Sequence, residues 1–378
     1  MKQLKKCIVI PDSFKGTLSS IEVCDTISAG IKALVPGCQV LSVPVADGGE
    51  GTADCFLHAL PDAEKVSLTA SGPFGEPVSC YYARSGSIAV IEMAQTAGLP
   101  LAEGHLDPRR ASTYGVGEMI AHAVQSGCTE IIIGLGGSCT NDAGVGCAMA
   151  LGVEFFDSEG NLLSPHATTL SQIASFRVQK AEQLLQHCSI TAMCDIDNPM
   201  YGPNGAAYVF APQKGADEAC VKELDDNLRS LAHVFETCMG KNIADMKGAG
   251  AAGAMGAGIV AFLGGSLKSG IDTVLDLVGF DKELAGTDLV FTGEGKIDSQ
   301  SLSGKVVIGI SRRAKKQNVP VIAVVGAIGD GATGAYAQGI QAIFSINTSA
   351  TDYEIARYHS RENLSITINN ILRTLLIG

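Results

Sequence analysis

Short, nearly continuous apolar runs at Cys7–Ile10, Val40–Val45, Leu289–Phe291, Val321–Val325 and Ile343–Ile346 constrain this chain most. They are rich in Val and Ile and do not alternate with polar residues. That pattern marks strands buried on both faces of a parallel sheet. Helical patterns lie between them. Ser19 with Glu22 forms a capping box, Ile21, Cys24, Ile31 and Leu34 recur on one face, and Pro36-Gly37 ends the segment. A second helix is predicted from about Ser303 to Gln317, and a last one from about Tyr353 to Leu376.

The order is β-α-β, a long insert, then β-α-β-α-β-α. The expected fold class is α/β: a five-stranded, doubly wound parallel sheet built from residues 1–72 and 287–378, with a second α/β domain inserted at 73–286. The first boundary is placed at the turn-rich Ser71-Gly72-Pro73-Phe74-Gly75. Within the insert, strands are expected near Ile88–Glu92, Glu130–Ile133, Ile190–Met193 and Ala206–Phe210, with a small-residue helix over Ala249 to Leu263.

Composition excludes several classes. The chain of 378 residues is 46% hydrophobic and 17% charged, which supplies a packed core and argues against disorder. A formal net charge of -12 disfavours nucleic-acid binding, because the surface repels a phosphate backbone. Twelve Cys residues occur without a C-x-x-C, scattered among apolar neighbours, and read as buried free thiols. No apolar run approaches the ~18–20 residues of a membrane span. With no secretory signal at the start either, a cytoplasmic location is expected.

In an open parallel sheet, ligands bind beyond the carboxyl ends of the strands. There the sequence places Pro11-Asp12-Ser13-Phe14-Lys15-Gly16, Ala46-Asp47-Gly48-Gly49-Glu50-Gly51-Thr52 and Thr292-Gly293-Glu294-Gly295-Lys296-Ile297-Asp298. Carboxylates there can hold Mg²⁺, glycines admit close backbone approach, and lysines neutralise phosphate. Asp and Gly also serve ordinary turns, but three such loops on one sheet edge favour a site. In the insert, Gly134 to Gly144 follows a strand and precedes a helix expected from about Asp142 to Leu151, so its amides suit an anion. Ser138, Thr140 and Asn141 add side-chain donors. Cys194-Asp195-Ile196-Asp197-Asn198-Pro199 again follows a strand. Gly248-Ala249-Gly250-Ala251-Ala252-Gly253 fits a dinucleotide fingerprint by letter only, since no strand precedes it. Gly304-Lys305 is not a Walker A loop.

Taken in order, these loops resemble the bacterial glycerate kinase family of the non-Walker, two-domain α/β type. The resemblance also includes Ile91-Glu92-Met93-Ala94, Thr113-Tyr114-Gly115, Phe210-Ala211-Pro212-Gln213-Lys214-Gly215-Ala216 and Thr292-Gly293-Glu294-Gly295. Cys139, Lys296 and Val306 stand where Ala, Arg and Ala are expected. The resemblance implies a flavodoxin-like sheet plus a second α/β domain, with the active site in the cleft between the domains. It implies phosphorylation of D-glycerate by ATP with Mg²⁺, giving 2-phosphoglycerate or 3-phosphoglycerate, in glyoxylate and sugar-acid catabolism. Asp195 is the expected base, with Lys15 and Asp12 also catalytic. Ser13, Gly136, Gly137, Ser138, Thr140, Asn141, Asp142, Asn198, Lys296 and Lys305 are expected to bind substrate or phosphate, and Asp47, Glu50, Glu294 and Asp298 to hold the metal. The expected partners are D-glycerate and ATP, and a homodimer is allowed. Other readings are a hydrolase or mutase acting on a phosphorylated sugar acid, and a non-catalytic hydroxy-acid or nucleotide sensor.

Overall fold

The computed structural model describes residues 4–377 apart from 47, 50, 305 and 350. Two compact units emerge. The first comprises Met1–Asp47, Asp54–Pro61 and Ile271–Gly378; the second comprises Gly48–Ala53 and Asp62–Gly270.

The first unit holds a five-stranded, all-parallel sheet in the order Ile340–Ser345, Val321–Val325, Leu289–Thr292, Lys6–Val9, Gln39–Ser42. Numbered along the chain this is 5-4-3-1-2, the flavodoxin-like order. The middle strands are mostly apolar and buried: Cys7, Val9, Phe291 and Val324 sit in one core with Ile27, Ile31, Leu364 and Ile368. Helix Ser20–Leu34 begins at the expected capping box. Ser19 Oγ accepts from the Glu22 amide, and the Glu22 carboxylate accepts from the Ser19 amide. Gly30 lets this helix approach Ser360–Leu375 closely, since a Cβ there would stand 2.8 Å from Ile368. The last helical stretch is broken into Tyr353–Ala356, a 3-10 turn at Arg357–His359, and Ser360–Leu375.

The second unit holds a six-stranded sheet in the order Ser266–Lys268, Ser189–Met193, Glu130–Gly134, Ile88–Glu92, Pro77–Ser85, Glu64–Ser71. The first four strands are parallel, and the last two form an antiparallel hairpin. The turn-rich stretch after Ser71 is that hairpin's connection, with Glu64 opposite Arg84 and Ser71 opposite Pro77. Strand Glu64–Ser71 went unrecognised because its run, with Glu64, Lys65, Ser67 and Thr69 among Val66 and Leu68, is that of a half-exposed edge. A small antiparallel sheet of Leu162–Leu163, Glu154–Phe156 and Ser175–Arg177 was also missed. Its Phe155 and Phe176 pack edge-on against Phe262.

One strand expectation is corrected. Ala206–Phe210 is a helix: Ala206 and Ala207 are buried while Tyr208 and Val209 are exposed, a grouping that no strand gives. A five-residue apolar run does not distinguish the two by periodicity. The cysteines are unbridged, and all except Cys188, Cys194 and Cys238 are buried. No helix of the described residues is long and apolar enough to cross a membrane.

Candidate active site

In the second unit, register places the strand ends level. Glu92 lies opposite Gly134, Gly134 opposite Met193, and Met193 opposite Lys268. The connections that follow therefore emerge along one edge, where ligands of parallel sheets bind. Gly48, Gly49 and Ala53 lie on that edge. Gly48 O accepts from the Gly136 amide at 2.9 Å, and a Cβ on Gly136 would stand 2.5 Å from Gly49 Cα. Only glycine permits so close a backbone approach. The buried Glu92 carboxylate accepts from the Ala53 amide at 2.6 Å, anchoring the first turn of helix Thr52–Ala59.

The Gly134–Asp142 loop is pinned from several sides. The Leu99 amide donates to Gly137 O, and the Cys139 amide donates to Ala97 O. Gly136 is half-buried and Gly137 exposed. Ser138, Thr140, Asn141 and Asp142 are buried. Asp142 accepts from the Thr113 amide and hydroxyl, both at 2.9 Å, and from the Gly144 and Gly146 amides. Burial pushes its acidity weaker, and these hydrogen bonds oppose that shift.

This changes the expected anion site. The helix is Val145–Ala150, shorter than anticipated, and it is entered through left-handed Ala143 (φ 53°) and Gly144 (φ 74°). Asp142 takes the amides of Gly144 and Gly146, so these two amides at the start of that helix are already paired within the protein. Thr140 Oγ1 and both polar side-chain atoms of Asn141 are buried and find no hydrogen-bond partner among the described residues.

Sequence reasoning overlooked Lys214 as a site residue. It is 1% exposed, and its ammonium donates to Ser138 Oγ at 2.8 Å and to Thr140 O at 2.6 Å. Burial lowers its pKa to about 8. Glu92 was likewise passed over, although a carboxylate closing the apolar run Ile88–Ile91 obeys the strand-end rule that found the other loops.

Asp195 stands two residues beyond Met193, exposed, with Oδ1 accepting from the Gly270 amide at 3.0 Å. Asn198 donates to Asn204 O at 2.8 Å, and its own carbonyl accepts from the Gly250 amide. The glycine-rich stretch read by letter as a fingerprint is a packing device. Helix Ala251–Leu263 opens with Ala252, Gly253 and Ala254 all left-handed, and Gly253 O accepts from the Ala143 amide. A Cβ on Gly253 would stand 2.1 Å from Thr140 O.

In the first unit, Asp12, Ser13 and Lys15 follow strand Lys6–Val9, and Glu294, Lys296 and Asp298 follow its neighbour Leu289–Thr292. Their meeting point is the switch point of the 5-4-3-1-2 order. The Asp12 amide donates to Gly293 O at 2.8 Å, and Asp12 Oδ1 accepts from the Ser13 amide at 2.6 Å. Lys15 is exposed and Glu294 buried. Lys296 forms an ion pair with Asp298 at 3.1 Å, and its hydrogen bond lowers the Asp298 pKa. Asp47, Glu50 and Lys305 lie outside the described residues. Among the described residues no group of three or more His, Cys, Asp or Glu converges as a metal site.

Comparison with known proteins gives a consistent result. The glycerate kinase family matches residues 7–376. A glycerate kinase of Bacillus cereus is 42% identical over 369 residues, 97% of this chain and 97% of that protein. A glycerate 2-kinase of Escherichia coli is 42% identical over 376 residues, 99% of this chain and 98% of that protein. The crystal structure of a protein assigned as glycerate kinase 2 from Salmonella typhimurium superposes with a TM-score of 0.86 at 38% identity, covering 98% of each chain.

Proposed function

The chain belongs to the glycerate kinase family, and from that premise we propose that it transfers the γ-phosphoryl group of ATP to the 2-hydroxyl of D-glycerate. The observation that carries the reading is the end-to-end family match over residues 7–376. The loops of both units that the chemistry would need are retained within it. A cytoplasmic role in sugar-acid catabolism accords with the reading.

Phosphoryl transfer asks a protein mainly for positioning and charge neutralisation. Asp195 is our candidate base: one oxygen is held by the Gly270 amide, and the exposed carboxylate can accept the proton of the acceptor hydroxyl. The Gly136–Asn141 loop would seat an anionic group, and Lys15 would neutralise phosphate, with Asp12 orienting the turn that carries it. Hard carboxylate oxygens suit Mg²⁺, which would offset the negative charge of the transferring phosphate. Glu294 and Asp298 are the described residues that would hold it, while Asp47 and Glu50, also expected to, lie outside the described residues. Mg²⁺ commonly takes one or two protein carboxylates and completes its shell with water and phosphate, so a large convergent cluster is not required.

The test is a coupled ADP-release assay with ATP, Mg²⁺ and D-glycerate, the product resolved by ³¹P NMR. Glycerate-dependent ADP with a phosphorus split into a doublet by one C–H supports the reading. A triplet moves the phosphate to the 3-hydroxyl. Phosphate release from a phosphorylated sugar acid without ATP would replace the kinase reading by a hydrolase.

A further inference from the structure

Lys214 is a fully buried ammonium whose two hydrogen bonds among the described residues both end on neutral oxygens, Ser138 Oγ and Thr140 O. Buried charges are ordinarily paired with an opposite charge, because desolvation is otherwise uncompensated. Asp142 acts on Lys214 only through space, its oxygens being occupied by Thr113, Gly144 and Gly146. An ammonium has three donors and no acceptor. Ser138 Oγ therefore accepts from Lys214, and its own proton must be donated elsewhere. Among the described residues nothing receives it. Beside it, Thr140 Oγ1 and the Asn141 amide are buried and unpartnered. A buried positive charge beside the loop, a hydroxyl fixed as a donor, and the idle donors Thr140 Oγ1 and Asn141 Nδ2 next to it call for an oxyanion.

We propose that Lys214 is a positioning residue that makes the Gly136–Asn141 loop an oxyanion seat, acting through Ser138, whose hydroxyl it fixes as an outward donor. The oxyanion is a carboxylate or phosphoryl oxygen of the substrates, and the proposal rests on the kinase reading above. Lys214 itself does not touch the ligand.

The test uses the full chain as wild type, Lys214→Met, Ser138→Ala and the double variant. Thermal melts establish folding, calorimetry gives the affinity for D-glycerate and for Mg·ATP separately, and steady-state kinetics give kcat and KM for each. A charge-assisted hydrogen bond is worth a factor of about 10–100, so Lys214→Met should weaken one of the two ligands by that order. Loss for D-glycerate identifies the carboxylate, and loss for Mg·ATP identifies the phosphate. Ser138→Ala should weaken the same ligand, and the double variant should be no worse than Lys214→Met, because the lysine acts through the serine. Wild-type affinities and turnover in the folded single variants would overturn the proposal, as would losses that simply multiply in the double variant. If Lys214→Met fails to fold, unaltered binding and turnover in Ser138→Ala overturns it alone. A wild-type protein that binds Mg·ATP but does not phosphorylate D-glycerate defeats the kinase reading instead. The variants are then compared with inorganic phosphate as the probe, and equal binding by wild type and Ser138→Ala would overturn the seat.

Discussion

At the residue scale the chemistry turns on how single polar groups are held. Lys214 supplies a pH signature with two opposite signs. Burial lowers its pKa from 10.5 to about 8, against the opposing pull of Cys139 and Asp142. The Cys139 thiol is itself pushed up to about 11, so it stays neutral through most of the window. Between about 8 and 10.5 the unfolded chain binds a proton that the folded chain does not, so stability rises with pH there. Below pH 8 both states are charged and the burial cost stands in full. Urea unfolding of wild type relative to Lys214→Met should gain on the order of 3 kcal/mol across that window. Over the same range kcat/KM should fall, because the seat loses its charge. Asp195→Asn should remove most of kcat with little change in the melt, since the amide oxygen can still accept from Gly270. A melt unchanged together with near-normal turnover would exclude Asp195 as the base. The acidic and hydroxyl groups of the loops were legible in the sequence because they follow apolar runs. Lys214 was not. It sits in a turn, and nothing local reveals that Ser138 and Thr140, far off in the chain, close over it.

At the scale of elements, the parallel strands were the readable part. Runs such as Val321–Val325 and Ile88–Glu92 have their expected bounds because burial leaves Val321–Val325 and Ile88–Ile91 continuously apolar. The half-exposed hairpin Glu64–Ser71 and Pro77–Ser85 lacked that signature, and Ala206–Phe210 was too short for its period to show. The left-handed entry to helix Ala251–Leu263 was equally hidden, since Ala at 252 and 254 gives no hint of positive φ (54° and 68°). Each such alanine costs about 1–2 kcal/mol, which the surrounding contacts must offset. Gly253 between them has no latitude at all. Gly253→Ala places a methyl 2.1 Å from Thr140 O and 2.5 Å from Asn141 Cα. It should cost at least about 3 kcal/mol or prevent folding, read as a lowered denaturant midpoint. A variant as stable as wild type would show that this turn does not hold the Thr140–Asn141 backbone.

For the whole molecule, binding and folding are linked by mass action. Either substrate, at a hundred times its Kd, should stabilise the native state by about 2.7 kcal/mol, seen as a raised melting temperature. D-glycerate that leaves the melt unchanged at any concentration would argue against it as the ligand. The two units also differ in how they are written along the chain. The sheet of the second unit is complete by Lys268, whereas the first unit's opening strand, Lys6–Val9, pairs on one side with Gln39–Ser42 and on the other with Leu289–Thr292. On a ribosome adding roughly 5–20 residues per second, the amino-terminal strand waits about 10–50 seconds for its second neighbour. Through that interval the pair of strands must be shielded from other edges, while the later-starting unit can already be folded. A strand made early is therefore among the last to be finished, and nascent-chain pausing before Leu289–Thr292 would lengthen the time it is exposed.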